Sequence, residues 1–450
     1  MKKICLTLPT NRACSAMLRA ITAEAAYAAE HFDVEVHLLV LDSSDEETYA
    51  RHAQTLNGTS PTPANVLLHH LNESDQQYFL KALIINSGVA KPDHILDLML
   101  PTGVSYGACT NRAFLIATAL GCESIHRRDS DSDYQELNGA PIYPIQQELA
   151  SLGTCGFDAI RTTTESTLDP AYAHRPVVLV GSSFVGELSV DISEIQQLNP
   201  EVYHDVVSLW APADWSDEQK RDLVDESFRG AGMDKFERDH STLAIVDPMR
   251  IDMCNVSFHR SVYERVPLLP AIDTIGSDYF LLHAIYDSKL PGVVHNRNIV
   301  NFYTGERRTD AGFVAYQLRF AKFFLSMLYL NFIYDRMAAA GETLLDEHQH
   351  QHLRADAIAA LARESAGLDQ DENVRRLEVL DRSYRKLGGR YAEFAGFLAE
   401  RAPALLYEAR VDIEDFALLT EVWEHLVRAA RSAAAELPSP ASAPGALPCP

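Results

Sequence analysis

Apolar and polar positions change period several times along the first third of the chain. Residues 4–8 form a short apolar run that predicts a strand and ends in Pro9-Thr10-Asn11-Arg12, a loop sequence. Residues 17–29 are Ala-rich and favour a helix. Val34, Val36, Leu38 and Val40 then alternate, which predicts a strand over 34–41, stopped by Asp42-Ser43-Ser44-Asp45. Residues 76–86 and 111–120 have helical composition and period, Gly121 stands where a helix end favours glycine, and an acidic strand end follows directly. Strand, helix, strand, helix, strand predicts an α/β fold with a wound, largely parallel sheet. Ligands of such sheets collect at the carboxyl ends of the strands.

The later pattern is coarser. Residues 177–180 predict a buried strand, 218–228 a helix, and 253–258 and 293–303 extended segments separated by a helix over 278–285. From about Gly312 the strand signals vanish and Ala, Leu, Arg and Glu dominate. The expected organisation is an α/β catalytic unit over 1–311, an α-helical extension over 312–436, and a Pro/Ala/Ser-rich tail over 437–450 that is predicted to be disordered. Residues 320–334 are the most apolar stretch of the extension. Lys322 and Asn331 interrupt it and it is shorter than a membrane span, so it reads as a buried helix.

Composition narrows the function classes. The 450 residues are 47% hydrophobic and 23% charged, as in ordinary globular proteins. With 63 acidic against 39 basic residues the formal charge is −24. That argues against a long nucleic-acid or anionic-membrane surface, both of which need a cationic face. A small nucleotide needs only a few local arginines. Seven scattered cysteines include no closely spaced pair, which fits a reducing cytoplasm better than a disulfide framework or zinc ribbon.

The chemistry concentrates in the segment that follows Cys122, where Asp129, Asp131 and Asp133 alternate with serines. In extended backbone the three acids share one side. Such crowding suits a hard divalent cation, Mg²⁺ or Mn²⁺, bridging to a substrate phosphate. A solvated loop neutralised by Arg127 and Arg128 is the plainer alternative. Calcium-loop geometry is excluded, since Tyr134 and Ala140 stand where Gly and Glu are needed. Gly181-Ser182-Ser183-Phe184-Val185-Gly186-Glu187 has the glycines of a phosphate loop but Glu187 in place of its lysine. His348, His350 and His352 read as a solvated surface beside acids and glutamines. Two later features survive. Asp278 stands at a loop-to-helix junction, as a helix cap or as a general base. His295 precedes a turn carrying Arg307 and Arg308, which suits a metal ligand beside a phosphate clamp.

Taken in order, these pieces resemble the GT-A-type (family-2-like) nucleotide-sugar glycosyltransferases over roughly residues 1–310. Pro9-Thr10-Asn11-Arg12 is similar to the opening loop of that group, Asp42 to its base- or ribose-binding acid, and Asn111-Arg112 to the start of the helix before its acidic motif. Asp129-Ser130-Asp131, or Asp131-Ser132-Asp133 in the other register, matches the D-x-D. Ser277-Asp278 stands at the catalytic acid pair with its first acid missing. The resemblance implies a GT-A-like fold and transfer of a sugar from a GDP- or UDP-linked donor to a small-molecule acceptor with inversion. It assigns Asp278 as base, Asp131, Asp133 and His295 as ligands of Mg²⁺ or Mn²⁺, and Pro9, Thr10, Arg12, Asp42, Asn111, Arg112, Asp129, Arg307 and Arg308 as donor-binding residues. Enzymes of antibiotic pathways, including lincomycin-type enzymes that glycosylate the thiol of ergothioneine, are one group it resembles. The helical extension is then a candidate homodimer surface. A metal-dependent nucleotidyltransferase, although residues 8–16 contain no glycine, and a non-catalytic helical assembly partner are the competing classes.

Overall fold

The computed structural model describes residues 1–58, 63–188, 192–228, 230–302, 304–305, 309–346 and 352–438. The strands in chain order are β1 (Lys2–Thr10), β2 (Val34–Asp42), β3 (Val66–Leu71), β4 (Ser124–Arg128), β5 (Ser132–Tyr134), β6 (Glu136–Leu137), β7 (Ala140–Pro141), β8 (Glu165–Ser166), β9 (Leu179–Gly181), β10 (Phe184–Gly186), β11 (Ser241–Ala244), β12 (Asn255–His259), β13 (Gly292–His295) and β14 (Ile299–Asn301). Nine of them form one sheet in the order β3-β2-β1-β4-β12-β9-β13-β11-β8. The first four lie parallel, and β12 enters antiparallel to both β4 and β9. The fold is α/β with a mostly parallel central sheet, as the alternating N-terminal pattern predicts.

Helices cover both faces of that sheet, so its inner strands bury both sets of alternate side chains. On β2, Val36, Leu38 and Val40 pack with Leu18 and Ile21 of the helix Ser15–His31. Leu39 and Leu41 face the other way, into a larger core with Phe79, Phe114 and Phe258. The strand-like run over 293–303 divides into two strands of different sheets. The break falls at Arg297, whose buried guanidinium turns aside to grip both oxygens of Asp239 at 2.7 and 2.9 Å. Beyond it β14 joins β10 and β5 in a small three-stranded sheet.

The C-terminal third is helical. Helices Asp310–Ala340, Ala355–Ala366, Asp371–Leu387 and Gly389–Ala430 follow one another, and no strand occurs among the described residues after β14. The first begins two residues before the expected boundary because Thr309 caps it, its hydroxyl accepting the Gly312 amide at 3.0 Å. None of these helices is long and apolar enough to cross a membrane. They share the larger core with the sheet: Phe416 stacks edge-on against Phe280 at 4.7 Å. Trp423 is fully buried, and its indole N–H donates to the Tyr263 carbonyl at 2.9 Å. The tail beyond Pro438 lies outside the described residues.

Because Trp423 ties the last long helix to the short helix Arg260–Tyr263 that follows β12, its loss reaches both parts of the chain. Trp423→Ala is expected to cost about 3–5 kcal/mol. Urea unfolding followed by circular dichroism and by fluorescence should show both midpoints falling together. Two separated transitions would mean that the helices are a unit of their own.

Candidate functional site

Strand register sets the site. β1 and β2 pair with Thr10 opposite Asp42, β2 and β3 with Val40 opposite His70, and β1 and β4 with Thr7 opposite Arg127. The carboxyl ends of four parallel strands therefore open on one rim. Asp42, fully buried at the tip of β2, is the first element of it. One carboxylate oxygen accepts His52 Nδ1 at 2.7 Å and His70 Nε2 at 2.9 Å; the other accepts the Ser44 amide at 3.0 Å and the Ser44 hydroxyl at 2.5 Å. Burial alone would raise this carboxyl, but the His70, Ser44 and His52 hydrogen bonds outweigh it and hold the group well below the ordinary range.

Next along the rim stands Arg12. Its guanidinium donates to Asp131 Oδ2 at 3.1 Å and to the Thr304 hydroxyl at 3.4 Å. Thr10 shapes the turn that delivers it, its hydroxyl donating to the Arg12 carbonyl at 2.9 Å. Burial pushes the neighbouring Cys14 thiol up to about 11, and Asp42, Arg12 and Asp131 all act electrostatically on it. These three groups thus share one neighbourhood.

Arg127, buried at the end of β4, is the hub of the second half. It donates to Asp278 Oδ2 at 2.5 Å, to Asp129 Oδ1 at 3.1 Å and to the Thr110 hydroxyl at 3.1 Å. Asp278 is not the helix cap: helix Phe280–Asp287 has Tyr279 at that position, without a side-chain cap bond. Burial raises the Asp278 carboxyl above its ordinary range against the opposing pull of Arg127. Close by, Asp252 accepts the Tyr279 hydroxyl at 2.8 Å and the Cys254 amide at 2.9 Å. Asp252, Asp129 and Arg127 all act on the buried Cys254 thiol.

Several residues expected in the site stand elsewhere. Asn111 exchanges hydrogen bonds with the Leu268 backbone at 2.9 and 2.8 Å. Arg112 points into the fold, to Gln76 Oε1 at 2.8 Å and the Met99 carbonyl at 2.6 Å. Asn111 pins the Leu268 segment, and Arg112 the helices Glu73–Ser87 and Pro92–Met99, to the helix Tyr106–Ala119. Pro9 is half-buried within β1. The three motif acids do not share a face: β5 begins only at Ser132, so Asp131 lies in the preceding turn and Asp133 is exposed. His295 is buried, accepts the Arg297 amide on Nδ1 at 3.2 Å, and is pulled down to about 3 by burial. Its electrostatic neighbours are Glu148, Arg128, Arg297 and Asp239, and among the described residues its ring nitrogens form no metal-ligand group with the motif acids. Arg307 and Arg308, with His348 and His350, lie outside the described residues.

Sequence reasoning missed His52, His70, Asp252 and Tyr279. His70 was within reach: it is the next-to-last residue of the run Val66–Leu71, a strand by composition, and carboxyl ends are where ligands gather.

Two groups invite a metal. Ligand atoms of Asp42, His52 and His70 lie within 4.8 Å of one another. However, His52 Nε2 faces the Cys14 amide at 3.1 Å, and an amide can only donate. The ring proton must then sit on Nδ1, directed at Asp42, so that nitrogen has no lone pair to offer a cation. Asp129 and Asp131 fit better. They supply hard oxygens, and around them Asp42, Asp252 and Asp278 bring the carboxylates to five against the guanidiniums of Arg12 and Arg127. A diphosphate entering this excess of negative charge needs a cation beside it.

A family model described as "Family of unknown function (DUF6271)" matches residues 2–438. The chain belongs to the DUF6271 family. No curated protein matches it. Among solved structures it is similar to a mannosyltransferase, PcManGT from Pyrobaculum calidifontis, in complex with GDP-Man and Mn²⁺. The two are 14% identical over 95% of this chain and 85% of the other, with a TM-score of 0.33. At that distance no residue role passes from one to the other.

In this DUF6271 chain the Asp42 cluster has a pH signature. A carboxyl held low in the folded state contributes stability above its unfolded pKa, about 3.9, and loses it as pH falls through the lower folded value. Asp42→Asn should be less stable than the parent at pH 7 by urea unfolding, and the gap should narrow below about pH 4. A gap that stays constant from pH 7 to pH 3 contradicts this.

Proposed function

We propose that the protein transfers a glycosyl group from a nucleoside diphosphate sugar to a small-molecule acceptor. The observation that carries the reading is the rim itself. Asp42, Arg12 with Asp131, and Arg127 with Asp129 and Asp278 stand in sequence across the carboxyl ends of parallel strands. The Asp42 cluster suits the nucleoside end, where a polar cradle can take ribose or base. Arg12 and Arg127 suit the diphosphate, which a guanidinium binds with directed N–H donors. Asp129 and Asp131 would hold Mg²⁺ or Mn²⁺, which neutralises charge on the leaving diphosphate when bound.

Asp278 is the proposed base. Burial lifts its carboxyl toward the range where a carboxylate accepts a proton usefully, and Arg127 fixes its direction. The acceptor oxygen forms a bond to the anomeric carbon as the carbon–oxygen bond to the diphosphate breaks. The acceptor proton passes to Asp278, and the bonding pair leaves on the diphosphate oxygen. Attack opposite the leaving group inverts the anomeric centre.

Thermal-shift titration with UDP-, GDP- and dTDP-sugars, with Mn²⁺ or with EDTA, tests the reading. Stabilisation by at least one donor in Mn²⁺, abolished by Asp131→Ala, is the expected result. No response to any donor overturns it. With the responding donor, Asp278→Asn should still bind while turnover to a hydroxyl acceptor falls by about 10²-fold or more. Near-parental turnover would remove Asp278 from the chemistry.

A further inference from the structure

A cavity of about 170 Å³ lies between the α/β unit and the first C-terminal helix. Phe323, Met327, Leu330 and Tyr334 of helix Asp310–Ala340 form one wall. Their spacing of four, three and four residues is one helical face. The opposite wall contains Trp210, Phe228, Gly276 and Tyr279. Gly276 is required there: its φ is +72°, and a Cβ on it would meet the Phe323 ring at 3.1 Å. Gly276 and Tyr279 flank Asp278 in the chain, which puts the cavity wall within two residues of the proposed base.

The lining has a definite chemical character. Trp210 meets Phe323 edge-on at 5.4 Å and Phe228 at 5.5 Å, so the aromatic wall is held rigid by its own contacts. His283 stacks on Tyr334 at 3.8 Å and is pulled down to about 4 by burial, which leaves it neutral at physiological pH. Among the described residues no hydrogen bond to the His283 ring occurs, so its nitrogens are open to a ligand. The formal charges on the described walls are carboxylates: Asp252, within the cavity, and Glu226, exposed at its rim. A purely apolar cavity of about 150 Å³ accepts a benzene ring. Aromatic faces joined to carboxylates favour a cation over a neutral molecule and exclude an anion.

We propose that this cavity is a binding site for an apolar, ring-sized molecule that carries a protonated amine, with the amine directed to Asp252 and Glu226. That it is the acceptor site rests on the transferase reading; the binding does not.

The test is a charge series on one ring, with no nucleotide present. Benzylamine, benzyl alcohol and benzoate are titrated into the full chain by calorimetry at pH 7. Benzylamine should bind best, by about tenfold over the alcohol, and benzoate should not bind. Asp252→Asn keeps an acceptor oxygen for the Cys254 amide and turns its NH2 toward the Tyr279 oxygen, to which it can donate, while removing the charge, and should erase most of the preference. Glu226→Gln, at an exposed position, should weaken it without risk to folding. Met249→Trp at the open rim should reduce binding of benzylamine and the alcohol alike. No binding by any probe, equal binding of benzoate, or a preference untouched by both charge variants overturns the proposal. Binding as expected together with no donor response in the thermal-shift titration would retain the site and remove the sugar-transfer reading.

Discussion

Arg127 is the constraint on which the rest of the site depends. Its guanidinium is buried at the end of β4, and its three partners come from three separate pieces of chain: Thr110 from a helix, Asp129 from the acidic turn, and Asp278 from the loop before helix Phe280–Asp287. A buried cation without partners is costly, and removing one partner of a buried ion pair costs about 3–5 kcal/mol. The chain therefore cannot release the acidic turn or the Asp278 loop independently. Asp129 and Asp278 in turn hold Arg127 charged. The same contact that makes the interior tolerable fixes a carboxylate, a guanidinium and a second carboxylate within one cleft.

Charge balance explains the remaining geometry. Arg12 does for Asp131 what Arg127 does for Asp129, so both of these acids meet an arginine before any ligand arrives. The balance stays negative once Asp42, Asp252 and Asp278 are included. An incoming diphosphate would add to the imbalance, and that is the physical ground for the divalent cation proposed at the rim. The Asp42 cluster is different in kind. Its two histidines donate to a single carboxylate, and the Cys14 amide fixes which nitrogen of His52 does so.

Much of the fold was legible in the sequence because burial on both faces leaves a strong mark. The alternation over Val34–Asp42 gave β2, and the disappearance of strand-like residues after β14 gave the helical third. The ends of elements were less legible. Val293 to Tyr303 reads as one strand, and pairings distant in sequence, Arg297 with Asp239 and Asn298 with Ser183, divide it. Position at strand and helix ends already grouped Arg12, Asp42, Asp129, Asp131 and Asp278, and the fold places these side chains along one rim. Asn111, Arg112 and His295 were misread because the sequence shows residue type and spacing but not which side of an element meets the cleft. His52 and His70 escaped because their meaning comes from a shared partner, Asp42, on a neighbouring strand.

The central claim is that the cation belongs to the acidic turn and not to the buried histidine cluster. The direct measurement is an anomalous difference map at the manganese edge from crystals grown with Mn²⁺ and UDP or GDP. The account predicts a peak touching carboxylate oxygens of Asp129 and Asp131. A peak enclosed by Asp42, His52 and His70, with none at the acidic turn, would contradict it.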